Sequence, residues 1–482
     1  MTLLSLGFFL FLSVGAVLYY VSPMRARVCV LAVISALFYL ALGWVSFVCI
    51  MAVTVVSFLV ALRIEERKRT GICALLSLAV LFLILFWLAL RGVSEFFGFA
   101  APVGISFYTL RVISYLVDIR RGKVGAERNF LEYLLYTSFF PIAFLGPVVN
   151  FTDCEKMLLH PQKPCWENIC GGILRVLFGV FKKTVIADTL IRPVGRISSE
   201  PERYLGVYVI ILIALYSVEV YFDFSGGIDI ALGAARIFGV VLPENFNKPF
   251  SSKSLAQFWN RWHITLGEWF EHYVFYPLSL TRAMQRLSRS LRRRLGVSVG
   301  KRIPLYAATL VTWALTGLWH GGALHFLVWG LVNGVLVLLS SESSRLFGLV
   351  CERHPRIFAV RERISFFAPV RVFFVIGAVR LLDVYKSVSL TFLMLASVVV
   401  RWDSYVEIVG EIPEMISFPL VFPIALGLLA VFTASKFGVK AEKICGRPFA
   451  FALCASGLLL SSLLFGSYGY GFDAADFIYS RF

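Results

Sequence analysis

Long apolar blocks separated by short charged clusters run the length of this chain. The clusters are RIEERKR (63–69), DIRRGK (118–123), KK (182–183), the run from Arg282 to Arg302 and the stretch from Arg345 to Arg363. A membrane helix needs about 20 apolar residues. Blocks near that length recur from end to end, so the pattern predicts a polytopic membrane protein. Excess Lys and Arg mark the cytoplasmic side of a membrane, which assigns most of the clusters there. The first block, MTLLSLGFFLFLSVGAVLYY, then reads as a spanning helix with its N-terminus outside. The block between Arg27 and Arg63 is long enough to go out and back, turning near Gly43. Ile72 to Leu90 goes out and Pro102 to Val117 returns. Later spans are expected around 132–150, 171–190, 205–222, 224–241, 304–319, 322–340, 366–382, 387–400, 416–435 and 449–466. The expected fold class is all-α, with roughly a dozen spanning or re-entrant helices in a single membrane-embedded domain covering 1–482. No internal repeat is evident, unlike the inverted repeats of many transporters.

Composition agrees with this pattern. Of 482 residues, 59% are hydrophobic and only 16% charged, against about 25% charged in soluble domains. The first block resembles a signal peptide in its apolar run, but it lacks a basic leader and Arg25 and Arg27 follow it instead. The net charge of +17 fits the positive-inside bias and gives no reason to invoke nucleic acid. The nine cysteines are scattered, without a CxxC pair. Cys154, Cys165 and Cys170 share a loop with His160, at spacings that fit no standard zinc site. Cys29, Cys49 and Cys73 read as packing residues. No metal site is expected.

Three stretches could carry chemistry. The first, Ser254 to Leu280, mixes aromatics with Gln257, Asn260, Arg261, His263, Glu268, Glu271 and His272. It is too polar to face lipid all round, so it lies in the interface or dips inward within the protein. The second, YFDFSGGIDIALG (221–233), sets Asp223 and Asp229 in apolar surroundings, where ionisable groups are costly and default to functional candidates. Their spacing of six puts them on different helical faces, which argues against an acid/base couple. Asp229 could instead pair with Arg236, and Ser225-Gly226-Gly227 is expected to break or bend the helix. The third, GLWHGGALHF (317–326), places His320 and His325 in a run from Ile303 to Leu339 without Lys, Arg, Asp or Glu. The two histidines lie about 140° apart round a helix, a poor metal pair. A neutral imidazole in a low-dielectric pocket can take a proton from a hydroxyl and so activate an alcohol against a thioester. A buried, hydrogen-bonded histidine is the plainer alternative. GVSVG (296–300) matches the GxSxG elbow, but it sits in a basic loop rather than between a strand and a helix. No P-loop occurs.

Five segments in order carry a resemblance: PVGISFYTLRVISYLVDIRRGK, SFFPIAFLGPVVNF, YFDFSGGIDIALG, NFNKPFSSKSLAQFWNRWHITL and TGLWHGGALHFLVWG. Together they resemble the bacterial membrane-bound O-acyltransferases, first the alginate O-acetyltransferase branch and next the teichoic-acid D-alanyl transferase branch. The resemblance runs from FFLFLSVGAVLYY to FIYSRF. It implies a ring of helices around a central tunnel in the bacterial cytoplasmic membrane. It also implies a thioester donor, acyl-CoA or a loaded acyl carrier protein, on the cytoplasmic side, with no bound cofactor. The acceptor it implies is a hydroxyl of an envelope polysaccharide, or a periplasmic acyltransferase that passes the group on.

The family's WHG histidine maps onto His320, as general base, and its RWH histidine onto His263, which would help position the donor or shape the cytoplasmic half of the tunnel. Around them Asn260 and Arg261 would hold the RWH turn, Trp319 would line the tunnel, and Asp223 and Asp229 would order its wall. The basic run 282–302 suits an acidic carrier or coenzyme A phosphates, although simple cytoplasmic retention explains it as well. The chain departs from the family at Glu271-His272, Leu324-His325, Asn333-Gly334 and AVRLLDVYKS. These departures spare both key histidines but touch the donor side and the tunnel lining. They keep open D-alanyl transfer, a transport or export subunit, and an inactive scaffold.

Overall fold

The computed structural model describes residues 2–66, 102–160, 162–353, 365–405 and 444–468, with short pieces at 421–422, 424–425 and 427–429. The described residues are all-α: helices in series, with a lone antiparallel bridge between Phe246 and Trp262. In order they are α1 (Leu6–Val21), α2 (Arg27–Leu42), α3 (Trp44–Glu66), α4 (Ile105–Arg120), α5 (Phe130–Ser138), α6 (Phe151–Leu158), α7 (Trp166–Phe181), α8 (Asp188–Ser199) and α9 (Val207–Ile237). There follow α10 (Leu255–Trp259), α11 (Ile264–Phe270), α12 (Tyr276–Ser279), α13 (Arg282–Leu295), α14 (Val297–His320), α15 (Leu324–Arg353), α16 (Ala368–Tyr385), α17 (Val388–Val400) and α18 (Pro448–Phe465).

Among the described residues six helices are long and apolar enough to cross a membrane: Met24–Leu42, Trp44–Glu66, Val207–Ile237, Leu324–Gly348, Ser365–Tyr385 and Pro448–Phe465. Leu6–Val21 and Val388–Val400 are shorter apolar helices. The protein is therefore a multi-pass membrane protein. The expected turn between α2 and α3 falls on Gly43, whose φ of 134° suits glycine and strains any other residue. The span expected over 72–90 and most of that over 416–435 lie outside the described residues.

Several expected spans take other forms. Residues 132–150 are not a span. α5 stops at Ser138, a 3-10 turn follows at Phe140–Ile142, and irregular backbone leads to α6. Pro141 and Pro147 cannot continue an α-helix in mid-run. This broken backbone is buried, and the Arg111 guanidinium donates to the carbonyls of Tyr136 and Thr137 at 3.0 Å each. Irregular backbone survives at such depth only when protein satisfies it. The two spans expected over 205–222 and 224–241 are one 31-residue helix, α9. The segments over 171–190 and 304–319 are helical but not apolar enough to count among the six. The first carries Arg175, Lys182, Lys183 and Asp188, and the second is diluted by Thr309, Thr312 and Thr316.

The chain divides into two compact units. The first comprises Met1–Thr189, Phe222–Pro243 and Phe422–Phe482. Its core includes a ring cluster of Tyr115, Tyr133, Tyr136 and Phe151, with centroids 4.8 to 6.0 Å apart. Here Ser225-Gly226-Gly227 does not break α9. Gly226 and Gly233 instead face Gly179 and Gly172 of α7, and a Cβ on any of the four would sit 2.5–2.8 Å from the carbonyl oxygen opposite. The two helices meet backbone to backbone, as small residues permit in membranes.

The second unit comprises Leu190–Tyr221 and Glu244–Val421. Its helices α14 and α15 meet in a similar way, through Gly317, Gly330 and Trp313. α13 carries six arginines and no buried residue.

Candidate active site

His263 and His320 both belong to the second unit. His263 sits in the turn between α10 and α11, only 4% exposed, at φ 49° and ψ 52°. A non-glycine residue in the left-handed region costs about 1–3 kcal/mol, and such strain gathers at functional sites. The turn is fixed from below by the chain at 245–247. Ile264 N–H donates to the Asn245 carbonyl at 3.1 Å, and Asn247 N–H to the Arg261 carbonyl at 3.0 Å. The Asn245 side-chain oxygen accepts from the Thr265 N–H at 3.1 Å and from the Thr265 hydroxyl at 2.7 Å. Trp262 stacks on Phe258 at 5.6 Å, and the Arg380 guanidinium lies over the same indole, with Cζ 3.9 Å from the Trp262 centroid. That cation–π contact is worth about 0.5–2 kcal/mol.

His320 closes α14. Trp319 stands between the two histidines, with ring centroids 6.2 Å from His263 and 4.9 Å from His320. His320 is near enough to act electrostatically on His263. Trp329 meets His320 edge-on at 4.8 Å, and Phe326 lies parallel to it at 6.5 Å. Trp329 in turn packs on Trp259 and Trp313, at 5.8 and 6.3 Å. The result is a buried imidazole pair walled by indoles.

The expected residues divide into three sets. His263, Trp319 and His320 come together. Asn260 and Arg261 flank the turn but face outward. Asn260 is exposed, and Arg261 donates to the Ser251 hydroxyl at 2.8 Å. Asp223 and Asp229 belong to the first unit and to separate ion-pair groups. Asp229 does not pair with Arg236. It takes Lys182 Nζ at 2.6 Å and Arg175 at 3.0 Å, because α7 lies alongside α9 at the glycine contacts. Lys183 Nζ lies 2.7 Å from both Asp188 and Asp223. Lys182 and Lys183, expected as cytoplasmic charges, are buried. They stand in a π-helical turn, Lys182–Ala187. In an α-helix residues five apart diverge by about 140°, and the i→i+5 pattern of a π-turn brings Lys183 and Asp188 to one side.

Of the departures from the family pattern, Glu271 and His272 are exposed in a second π-turn, Glu271–Phe275. His325 is buried, its ring 4.2 Å from Phe326. Asn333 donates to the Trp329 carbonyl at 2.8 Å. Three residues of the site escape a reading of the sequence: Asn245, Trp329 and Arg380. For Arg380 there is a signal, an arginine deep in the apolar run 372–382. For Asn245 and Trp329 there is none beyond their place in the shared segments. Among the described residues no group of three or more His, Cys, Asp or Glu is arranged to hold a metal ion.

A sequence model of the membrane-bound O-acyltransferase family matches residues 30–368, which include the histidine pair and its walls. The chain is 31% identical over 355 residues to a probable alginate O-acetylase of Azotobacter vinelandii, covering 68% of this chain and 66% of the relative. It is 28% identical over 389 residues to the peptidoglycan O-acetyltransferase of Helicobacter pylori, covering 71% of this chain and 70% of the relative. It is 28% identical over 245 residues to the teichoic acid D-alanyltransferase of Bacillus subtilis, covering 49% and 58%. The match thus spans just under two thirds of the length of the alginate relative. On the family match and the 31% identity, this chain belongs to the membrane-bound O-acyltransferase family.

Proposed function

We propose that this protein moves a short acyl group, acetyl first among them, from a cytoplasmic thioester to a hydroxyl of an envelope polysaccharide. The reading rests above all on His263 and His320 meeting across Trp319 within the region that matches the family. His320 is the general base. It takes the proton as the acceptor oxygen attacks the thioester carbonyl, and returns it to the sulfur when the carbon–sulfur bond breaks. His263 holds the donor from the other side of Trp319. Asn260 and Arg261 serve the turn that carries His263 rather than the reaction. Asp223 and Asp229 order the helices of the first unit through their lysine partners. The whole chain works as one acyltransferase in the bacterial cytoplasmic membrane, its N-terminus outside, with coenzyme A or a carrier protein as the donor handle. A periplasmic acyltransferase is the alternative acceptor.

D-alanyl transfer stands second, favoured by the similarity to the teichoic acid enzyme. The experiment is acyl release from labelled acetyl-CoA, and separately from a loaded acyl carrier, by purified protein with polysaccharide acceptor. His320-dependent release is expected with one of the two donors. Background release from both by folded wild-type protein would sink the reading.

A further inference from the structure

Trp329 lies on α15, four residues after His325 and four before Asn333, and is 6% exposed. Its ring meets that of His320 edge-on, at 4.8 Å between centroids and 73° between planes. Its backbone carbonyl is already engaged by Asn333. Its indole N–H is buried and meets no acceptor among the described residues. An indole has a donor and nothing else to offer, and a buried donor left without an acceptor costs about 1–3 kcal/mol. Packing alone would be served by phenylalanine or leucine. Trp329 does pack, against Val379 and Leu382, but packing does not account for the nitrogen.

Acyl transfer needs a donor of this kind. When the hydroxyl oxygen adds to the thioester carbonyl, the carbonyl oxygen gains a full negative charge next to the base that removed the proton. Preformed N–H groups in a dry site are the usual means of stabilising that charge. His320, once protonated, must still deliver its proton to the departing sulfur, so a different group has to hold the oxygen.

We infer that the Trp329 indole N–H is the donor to the acyl carbonyl oxygen, stabilising the oxyanion while His320 carries the proton. The inference rests on the acyltransferase reading above. No atom is added or lost by this role: the hydroxyl oxygen bonds to the carbonyl carbon, the carbon–sulfur bond breaks, and the proton passes through His320 to the thiolate. Trp329 keeps its own proton throughout. Trp329 is thus a catalytic residue by contact with the reacting carbonyl.

The test replaces the N–H without changing the ring. Benzothienylalanine, in which sulfur stands for the indole nitrogen, is incorporated at position 329 of the full chain by codon suppression. Tryptophan incorporated by the same route is the control. Thermal stability, kcat and KM for the thioester donor are measured. The expected result is a fall in kcat of about 10²–10³-fold, the effect of losing one oxyanion donor, with KM and melting temperature close to those of the control. A kcat within tenfold of the control overturns the inference. So does a loss that appears equally in stability, which would mark a packing role. If the tryptophan control itself shows no His320-dependent transfer, the acyltransferase reading fails and this inference falls with it.

Discussion

In the first unit Lys183 sits between Asp188 and Asp223, and Asp229 between Lys182 and Arg175, every contact between 2.6 and 3.0 Å. In the second, His263 and His320 stand against Trp319, with Trp329 and Phe326 beyond. Both are buried polar groups in an apolar protein, yet they are built on opposite plans. The first ties its charges into groups of three, one cation between two carboxylates and one carboxylate between two cations. The second surrounds groups that can gain or lose a proton with rings that cannot. Ionisable residues at membrane depth default to functional candidates, but the carboxylates here have the arrangement of a brace, and under the proposed function only the imidazoles act in the reaction.

The comparison can be broken at either end. The largest effect is expected from His320→Ala, which should lower acyl transfer by about 10²–10⁴-fold while protein yield and melting temperature stay near wild type. A variant that retains transfer would leave the second cluster as mere packing. Next comes Lys183→Met. Removing one member of a buried ion pair costs about 3–5 kcal/mol, so folded yield in detergent should drop sharply. The triple variant Lys183→Met, Asp188→Leu, Asp223→Leu should recover most of it, since well-packed apolar replacements of buried ion groups are often neutral. A stable Lys183→Met protein that is inactive would instead give the first cluster a part in the reaction.

A smaller loss is expected from Asn245→Ala, which strands the Thr265 N–H and hydroxyl in a buried place at about 1–3 kcal/mol. Transfer should fall with it, and a loosened His263 turn should show as raised KM for the donor. Unchanged KM would detach His263 from donor binding. Arg261→Ala should do least, leaving transfer within about threefold, because surface substitutions rarely matter. A large loss there would return Arg261 to the site.

How much of this could be read from the sequence depends on the distance over which each feature is decided. The reversal at Gly43 was legible because two apolar blocks and one glycine suffice to make it. The continuity of α9 was not. A Ser-Gly-Gly run looks like a break until Gly172 and Gly179, on another helix, show what the small residues admit. Lys182 and Lys183 looked like cytoplasmic charges because Asp223 and Asp229 lie some forty residues on. His263, Trp319 and His320 were found by resemblance. Asn245 was missed, since an asparagine in a polar segment looks like any loop residue until its oxygen is seen to accept twice from Thr265.

The meeting of α7 and α9 has a consequence for heredity. Glycine is the smallest residue, so every substitution at Gly172, Gly179, Gly226 or Gly233 adds at least a methyl group where a carbonyl oxygen already stands. Elsewhere in a membrane helix a mutation has conservative neighbours, leucine for isoleucine or valine for alanine. These four sites have none. A drift of sequence that leaves the histidines alone can still end the lineage of this fold there, at positions that carry no charge, no hydrogen-bonding side chain and no part in the chemistry.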